Sequence, residues 1–445
     1  MKDSPLWGHF TRLSATTPRI VRGEGAYVYD DHGKRYLDGL SGLFTVQVGH
    51  GRKELAEAAA RQSETLAYFP IWGYETEPAV QLAQRLVDLA DHAPLTRAFF
   101  TASGSEAVES AWKLARQYFR ARGEHLRHKV ISRQYTYHGT SLGALSITGV
   151  PAIRAPFEPL VPGAIKVQNT NRYRCHDCSR LDACTLRCAD DIALRMEMEG
   201  PETVAAVFLE PVQNTGGALV PPPGYFERVR EICDRYGVIL VSDEVICAFG
   251  RLGHWYGSQR YGYAPDIITF AKGVTSGYAP MGGMLVADHL AEPFLEDPSV
   301  FLHGHTFGGH PVSAAVALAN IDLMERDDLL GNVRRHEDHF GAVLEGLRDI
   351  PIVGDVRGAG YFRVVELVKD QATKQTFDDA ECEWLLRGEL SPALFEAGLI
   401  CRADDRADPV LVLSPPLVCG PDELTFIGDT LRAALTHAAD AYRRR

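Results

Sequence analysis

The sequence predicts an α/β fold, with a large domain on a buried parallel sheet and a second, smaller α+β unit after it. Three apolar runs each end in one polar residue: Val204-Ala-Ala-Val-Phe-Leu209 meets Glu210, Val238-Ile-Leu-Val-Ser242 meets Asp243, and Asp266-Ile-Ile-Thr-Phe-Ala271 meets Lys272. Short β-rich runs bounded by Gly, Pro and charged residues read as buried parallel strands. From about residue 331 the pattern changes to alternating helices and short strands. A chain of 445 residues is also too long for one ordinary core, and implies two or three domains or one large domain with an appendage.

In open α/β sheets, ligands sit outside the carboxyl ends of the strands. Two acids and a lysine at three such ends can therefore converge on one ligand. A lysine whose amine is held neutral is a nucleophile and forms Schiff bases with carbonyl compounds. A pyridoxal phosphate (PLP) site is one version of this chemistry, with an aspartate paired to the pyridinium nitrogen. In that reading Asp243 keeps the nitrogen protonated, while Lys272 carries the aldehyde and then shuttles a proton. The two lie 29 residues apart, enough for a strand-to-strand connection. The plainer alternative is that polar residues end strands because loops are wet.

Composition narrows the class. Apolar content of 45% and charged content of 23% match a soluble globular enzyme. A net charge of −12 argues against a nucleic-acid or anionic membrane surface. No apolar run is long enough to span a bilayer. Met1 to Trp7 contains no apolar secretory core. A cytoplasmic protein is expected, with no nucleic-acid or membrane partner and with its nine cysteines mostly reduced. Cys233, Cys247, Cys382, Cys401 and Cys419 are scattered and read as small core residues.

Taken in order, the chain opens on a hairpin, where Tyr27-Val-Tyr29 and Arg35-Tyr-Leu37 flank the turn residues Asp30-Asp-His-Gly33. The glycines of Asp38-Gly-Leu-Ser-Gly-Leu-Phe44 and Val48-Gly-His-Gly51 suit a loop that passes close to a ligand or another backbone. Helices are expected from Arg52 to Ser63 and from Glu77 to Leu89, each with apolar residues on one face. Between them, Phe69-Pro-Ile-Trp-Gly73 is an aromatic loop that either lines an apolar pocket or packs a domain junction. Ala98-Phe-Phe100 is a strand running into Thr101-Ala-Ser-Gly-Ser-Glu106 and a helix through Arg120. A small-residue loop before a helix N-terminus is a ready phosphate site, although Ser and Gly also simply cap helices. Lys129-Val-Ile131 starts another strand, followed by Tyr135-Thr-Tyr-His-Gly139, whose Tyr137 or His138 can stack on a flat ring.

Four cysteines fall within fourteen residues: Cys175, Cys178, Cys184 and Cys188. In a cytosolic chain such spacing favours a metal over disulfides. Four thiolates fit tetrahedral zinc in a structural site, and an iron–sulfur cluster also takes four. Free thiols, with or without a disulfide, are the alternative. Beyond Lys272, Met284-Leu-Val-Ala287 reads as a strand, and in the glycine-rich His303 to Pro311 Thr306 offers a hydroxyl to a phosphate. Pro311 to Arg326 is a helix with Pro in its first turn. The last unit carries a helix from Val333 to Leu347. Val353 to Gly360 leads into a strand from Phe362 to Leu367. Leu399 to Arg402 pairs as a strand with Val410 to Leu413, and Pro421 to Arg443 is the final helix.

With these residues assembled, the chain resembles the class III PLP-dependent aminotransferases, the ω-aminotransferase group, over nearly its whole length. The motifs fall in order: the Asp38 to Gly51 loop, Ser103-Gly-Ser-Glu-Ala107, Tyr137-His-Gly139, Glu210-Pro-Val212, Asp243-Glu-Val245, Ala271-Lys-Gly273, and His305-Thr-Phe307 with Gly309-His-Pro311. The resemblance implies the fold type I architecture: a large domain with a mixed, mostly parallel seven-stranded sheet, plus a small α+β domain. It places residues 1–65 in the small domain, 66–330 in the PLP-binding domain with a Cys-rich insert at 173–190, and 331–445 back in the small domain.

The resemblance also implies roles. Lys272 is the Schiff-base lysine and proton shuttle, and Asp243 the pyridinium partner. Tyr137 stacks on the ring and Val245 packs on its other face. Gly104 and Ser105 form the phosphate cup, with Ser103 and His138 completing the cofactor-binding set. Thr306 reaches the phosphate from the other subunit of a homodimer with shared active sites. Glu210 is an acid near the cofactor that can neutralise a substrate-binding arginine. Phe44 and Trp72 line the substrate pocket with Tyr137. Arg402 grips an acceptor carboxylate, with Arg406 as the alternative. A bidentate guanidinium is the natural partner for that group.

The implied activity moves an amino group from an amine or ω-amino acid to a keto acid such as pyruvate. A decarboxylating relative or an aminomutase needs the same lysine, aspartate and cup. A non-catalytic metal- or ligand-sensing protein has no use for all three together.

Overall fold

The structure, a computed structural model, describes residues 5–12, 17–176, 178, 184–295 and 298–445. The residues outside this set include 1–4 of the N-terminal stretch and 177 and 179–183 of the Cys-rich insert. The N-terminal part carries β1 (Ile20–Glu24), β2 (Tyr27–Asp30) and β3 (Arg35–Asp38). The middle carries β4 (Leu95–Thr101), β5 (Lys129–Arg133), β6 (Ala164–Val167), β7 (Val204–Leu209), β8 (Ile239–Asp243), β9 (Ile267–Phe270) and β10 (Gly282–Ala287). The C-terminal part carries β11 (Val353–Ala359), β12 (Phe362–Leu367), β13 (Leu399–Ile400), β14 (Arg402–Asp404) and β15 (Val410–Leu413).

The central sheet has seven strands in the order β4-β10-β9-β8-β7-β5-β6. β9, β8, β7, β5 and β6 pair in parallel, and β10 runs antiparallel to both of its neighbours. This is the mixed, mostly parallel α/β sheet expected. Every residue of β7, β8 and β9 is buried. Alternate residues of β7 serve opposite faces. Ala206 and Phe208 pack with the helix Gly104–Ala121, while Val207 and Leu209 pack with the helices Arg187–Glu199 and Tyr225–Tyr236. Each large apolar side chain buried this way is worth about 1.5–3 kcal/mol, so the strand ends stand on a rigid platform.

The terminal regions meet in one sheet. The β2–β3 hairpin forms as expected, with the Asp30 carboxylate accepting from the His32 and Lys34 N–H groups and from Tyr36 Oη. β13 then adds to β3 in parallel, giving the order β1-β2-β3-β13.

This corrects the expected pairing of residues 399–402 with β15. The chain changes partner at Cys401, so only Arg402–Asp404 pairs with β15, and Arg402 lies opposite Val412. The stretch expected as a lead-in before β12 is itself a strand, β11, antiparallel to β12. β6, at the edge of the central sheet, was not anticipated, because three of its four residues are only partly buried. No helix among the described residues is long and apolar enough to cross a membrane.

Arg251 ties these parts together. It is fully buried. Nη1 donates to the carbonyls of Tyr361 (3.2 Å) and Pro415 (2.5 Å), and Nη2 donates to Ser41 Oγ (3.0 Å) and to Gln47 Oε1. Replacing it with Leu leaves at least two buried carbonyls without this donor. At about 1–3 kcal/mol for each orphaned group, Arg251→Leu is expected to lower stability by roughly 2–6 kcal/mol. Chemical denaturation measures this, and an unchanged midpoint contradicts it.

Candidate active site

Asp243 ends β8, and Lys272 follows β9 by two residues. Adjacent parallel strands therefore deliver the two side chains to the same edge of the sheet. Lys272 sits in the left-handed region at φ +48°, a conformation that costs on the order of 1–3 kcal/mol and is found where a site demands it. Burial pushes the Lys272 amine down to about 8. The negative charges of Asp243 and Glu210 oppose the shift, and the positive charge of Arg402 adds to it. Desolvation wins, so the amine is partly neutral near physiological pH.

Asp243 is held from three directions. Its Oδ1 accepts from the Val245 N–H (3.2 Å) and from Thr269 Oγ1 (3.1 Å). Its Oδ2 lies 2.6 Å from Nδ1 of buried His138. On the other side of that ring, His138 Nε2 lies 3.0 Å from Thr136 Oγ1, which donates to Glu210 Oε1 at 2.5 Å. Glu210 also accepts from the N–H groups of Tyr137 (3.2 Å) and Asn214 (2.8 Å). Burial pushes its carboxyl above the usual range, against the nearby His138 and Arg133.

These groups line one cavity of about 150 Å³. Its walls are Ser103, Gly104, Ser105, Tyr137, His138, Gly139, Glu210, Asp243, Val245, Ile246, Cys247, Ala271 and Lys272. The helix Gly104–Ala121 opens at the cavity, and Ser103 caps it by accepting from the Glu106 N–H at 3.3 Å. First-turn N–H groups have no acceptor within a helix, so those of Gly104 and Ser105 are suited to an anion. Two glycines keep this corner open. A methyl group at Gly104 would come within 2.9 Å of Val245 Cγ1, and one at Gly139, at φ +121°, within 2.3 Å of Ser105 Oγ.

PLP fits this arrangement. An amine that can turn neutral, a supported carboxylate and a phosphate-ready helix end surround one space. Ten expected residues are thus brought together: Ser103, Gly104, Ser105, Tyr137, His138, Glu210, Asp243, Val245 and Lys272 at the cavity, with Phe44 beside it. Phe44 is buried, and its ring centroid lies 6.0 Å from Lys272 Nζ.

Trp72 and Thr306 stand apart within the single chain. Trp72 is 64% exposed and lies beside Gly304. Thr306 is exposed, and its carbonyl accepts from Tyr68 Oη at 2.7 Å.

Arg402 and Arg406 both approach Asp404 rather than Glu210. Arg406 lies over the Tyr137 ring at 5.5 Å. Sequence reasoning missed Thr136, Thr269 and Asp404. Thr269 lies beside Asp243 in the register of β8 and β9, a pairing that only the structure shows.

The expected metal set is not supported. Cys175, Cys178, Cys184 and Cys188 are free thiols, and among the described residues no group of three or more His, Cys, Asp or Glu is placed to hold a metal ion. Cys178 Sγ and Cys184 Sγ lie 3.3 Å apart, closer than the roughly 3.8 Å that tetrahedral zinc with bonds of about 2.3 Å requires.

Comparison with known proteins shows the family. The model of the family described as aminotransferase class-III matches residues 12–435. A probable aminotransferase of Mycobacterium tuberculosis is 59% identical over 441 residues, covering 98% of this chain and 94% of its own length. A putrescine–pyruvate aminotransferase of Pseudomonas aeruginosa is 36% identical, with 98% and 94% covered. Among solved structures, an amine transaminase from an uncultivated Pseudomonas species in its PLP-bound form superposes with a TM-score of 0.93 at 35% identity, covering 98% of this chain and 99% of that one. The chain belongs to the class III, PLP-dependent aminotransferase family.

Proposed function

We propose that this enzyme is an ω-aminotransferase that moves an amino group from an amine or ω-amino acid to a keto acid such as pyruvate. The observation that carries the proposal is the buried Lys272 amine beside Asp243, in a cavity whose far corner is the N-terminus of a helix. The putrescine–pyruvate relative supports pyruvate as the acceptor. When bound, PLP supplies a carbonyl that links to amines and a ring that takes up the electrons left when an α-proton departs.

The residues divide the remaining work. Lys272 Nζ holds the cofactor covalently and moves a proton to and from the substrate carbon. Asp243, fixed by His138, Thr269 and the Val245 N–H, holds a proton on the ring nitrogen. Ser103, Gly104 and Ser105 bind the phosphate. Tyr137 and Val245, which line the cavity, would hold the ring, and Phe44 shields the amine from water. Glu210 anchors the loop at Tyr137.

The active unit in this proposal is a cytoplasmic homodimer. Tyr68 and Phe307 form an exposed aromatic pair at Thr306, with their rings 5.9 Å apart, and exposed Trp72 lies beside Gly304 in the same segment. Such an exposed aromatic segment marks an interaction surface. A second copy seated there brings its Thr306 and Trp72 toward this cavity. The division into 1–65, 66–330 and 331–445 is part of the same proposal, and the β3–β13 pairing supports joining the two ends.

Two outcomes test it. Lys272→Ala is expected to lose turnover by several orders of magnitude, because both the covalent link and the proton carrier go. Transamination near the wild-type rate contradicts the assignment. Covalent capture of PLP by the apoprotein, followed by absorbance, is expected to speed up as pH rises through about 8, where the amine loses its proton. A rise centred near the ordinary lysine value of about 10.4 shows that the amine is solvated.

A further inference from the structure

Thr136 stands just before Tyr137, in the loop that follows β5. It is fully buried, and its carbonyl accepts from the Gly149 N–H at 2.8 Å. The residues after it are fixed as well. The His138 N–H donates to Thr148 Oγ1 at 2.9 Å, and that hydroxyl donates to the Gly139 carbonyl at 3.0 Å. The His138 ring meets Phe208 edge-on, with centroids 6.1 Å apart.

A hydroxyl has one hydrogen to donate and lone pairs that accept. Thr136 Oγ1 donates its hydrogen to Glu210 Oε1 at 2.5 Å, and it lies 3.0 Å from His138 Nε2. With the hydrogen on Glu210, the oxygen is left to accept, so Nε2 carries a proton. On the other side of the ring, Nδ1 lies 2.6 Å from Asp243 Oδ2. Asp243 Oδ1 already accepts from the Val245 N–H and from Thr269 Oγ1, the pattern of an ionised carboxylate, so Nδ1 carries a proton too. An imidazole that donates from both nitrogens is an imidazolium.

The surroundings suit that cation. Asp243 and Glu210 bracket it, one directly and one through Thr136, and all four side chains are buried away from bulk water. Glu210 keeps both of its oxygens occupied, with the N–H groups of Tyr137 and Asn214 beside the Thr136 hydroxyl. The other charged groups facing the network are Arg133, whose Nη2 donates to the Glu210 carbonyl at 2.5 Å, and Lys272.

We propose that Thr136 is a positioning residue: by giving its hydrogen to Glu210, it obliges His138 to sit as an imidazolium against Asp243. Thr136 acts only through His138. Glu210 then influences the cofactor pocket as the negative charge that balances His138, relayed by the hydroxyl between them. The arrangement keeps Asp243 a pure acceptor, ready for the protonated ring nitrogen of the aminotransferase reading, on which this inference rests. It also gives the Asp243 carboxylate a second partner, so that it pulls on the ring proton less than an isolated carboxylate does. Without the hydroxyl, Nε2 has no acceptor, and the ring keeps a single proton.

The test is proton NMR of the downfield imidazole N–H region at neutral pH, on the PLP-loaded enzyme, with the His138 signals identified by their absence in His138→Gln. Two His138 N–H signals are expected in the wild type. Thr136→Val, which keeps the shape and removes the hydroxyl, is expected to lose the Nε2 signal. It is also expected to slow the half-reaction with an amine about tenfold, while the amine KM moves less than roughly twofold. Thr136→Ser restores the hydroxyl and is expected to return both the signal and the rate. A single His138 N–H signal in the wild type overturns the proposal, and this spectrum decides the charge state even where the valine variant folds poorly. Thr136→Val with both signals intact overturns it too, as does loss of the Nε2 signal at an unchanged rate. If the spectra follow the expected pattern but the enzyme transfers no amino group, the reaction assignment fails and the hold of Thr136 on His138 stands.

Discussion

An amine with little water around it, held opposite a buried carboxylate at the edge of a parallel sheet, is the constraint on which the rest of the site depends. Lys272 loses proton affinity because the interior solvates an ammonium poorly. Asp243 and Glu210 pull the other way, and an isolated strong ion pair would leave the lysine charged and unreactive. The balance falls to burial because both carboxylates have other donors to satisfy them. Asp243 is occupied by His138, Thr269 and the Val245 N–H, and Glu210 by Thr136 and two backbone N–H groups. The left-handed backbone at Lys272 is then a local strain that the packed sheet holds in place.

The same buried network joins parts of the chain that are distant in sequence. Thr136 and His138 come from the loop after β5, Glu210 from the end of β7, Asp243 from β8 and Thr269 from β9. A change at Thr136 therefore reaches Asp243 through His138 without touching the cofactor. Phe44 is brought to Lys272 by the N-terminal loop, and that loop is fastened through Ser41 and Gln47 to Arg251 and so to the C-terminal region. The N- and C-terminal elements thus shape the site although the sheet carries its chemistry.

Much of this was legible in the sequence, for a physical reason. β7, β8 and β9 are buried on both faces, so their apolar runs are uninterrupted and the polar residue that ends each one stands out. Lys272, Asp243 and Glu210 stood out as candidates through that contrast, and their roles came from the resemblance to the aminotransferase family. The loop at Ser103 and Gly104 was legible as the start of a helix, but simple capping gives the same signal, and its reading as a phosphate cup came from the family resemblance. Elements that depend on remote partners were not readable. β6 is a half-buried edge strand, and β13 is two residues long and exists only because β3 lies beside it. Arg402 and Arg406 could not be ranked by sequence, since the difference between them lies in which one Asp404 holds. The four clustered cysteines show the opposite limit. Their spacing is compatible with a metal, but spacing does not set the distance between sulfur atoms, and the 3.3 Å from Cys178 to Cys184 does not match tetrahedral zinc.

The central claim is that Lys272 and Asp243 run a two-step amino transfer on PLP. The most direct measurement is the absorbance spectrum of the purified holoenzyme, recorded before and after adding an amine with no acceptor present, and again after adding pyruvate. The account predicts a yellow protein that bleaches with the amine and regains its colour with pyruvate. A protein that stays colourless when supplied with PLP contradicts it.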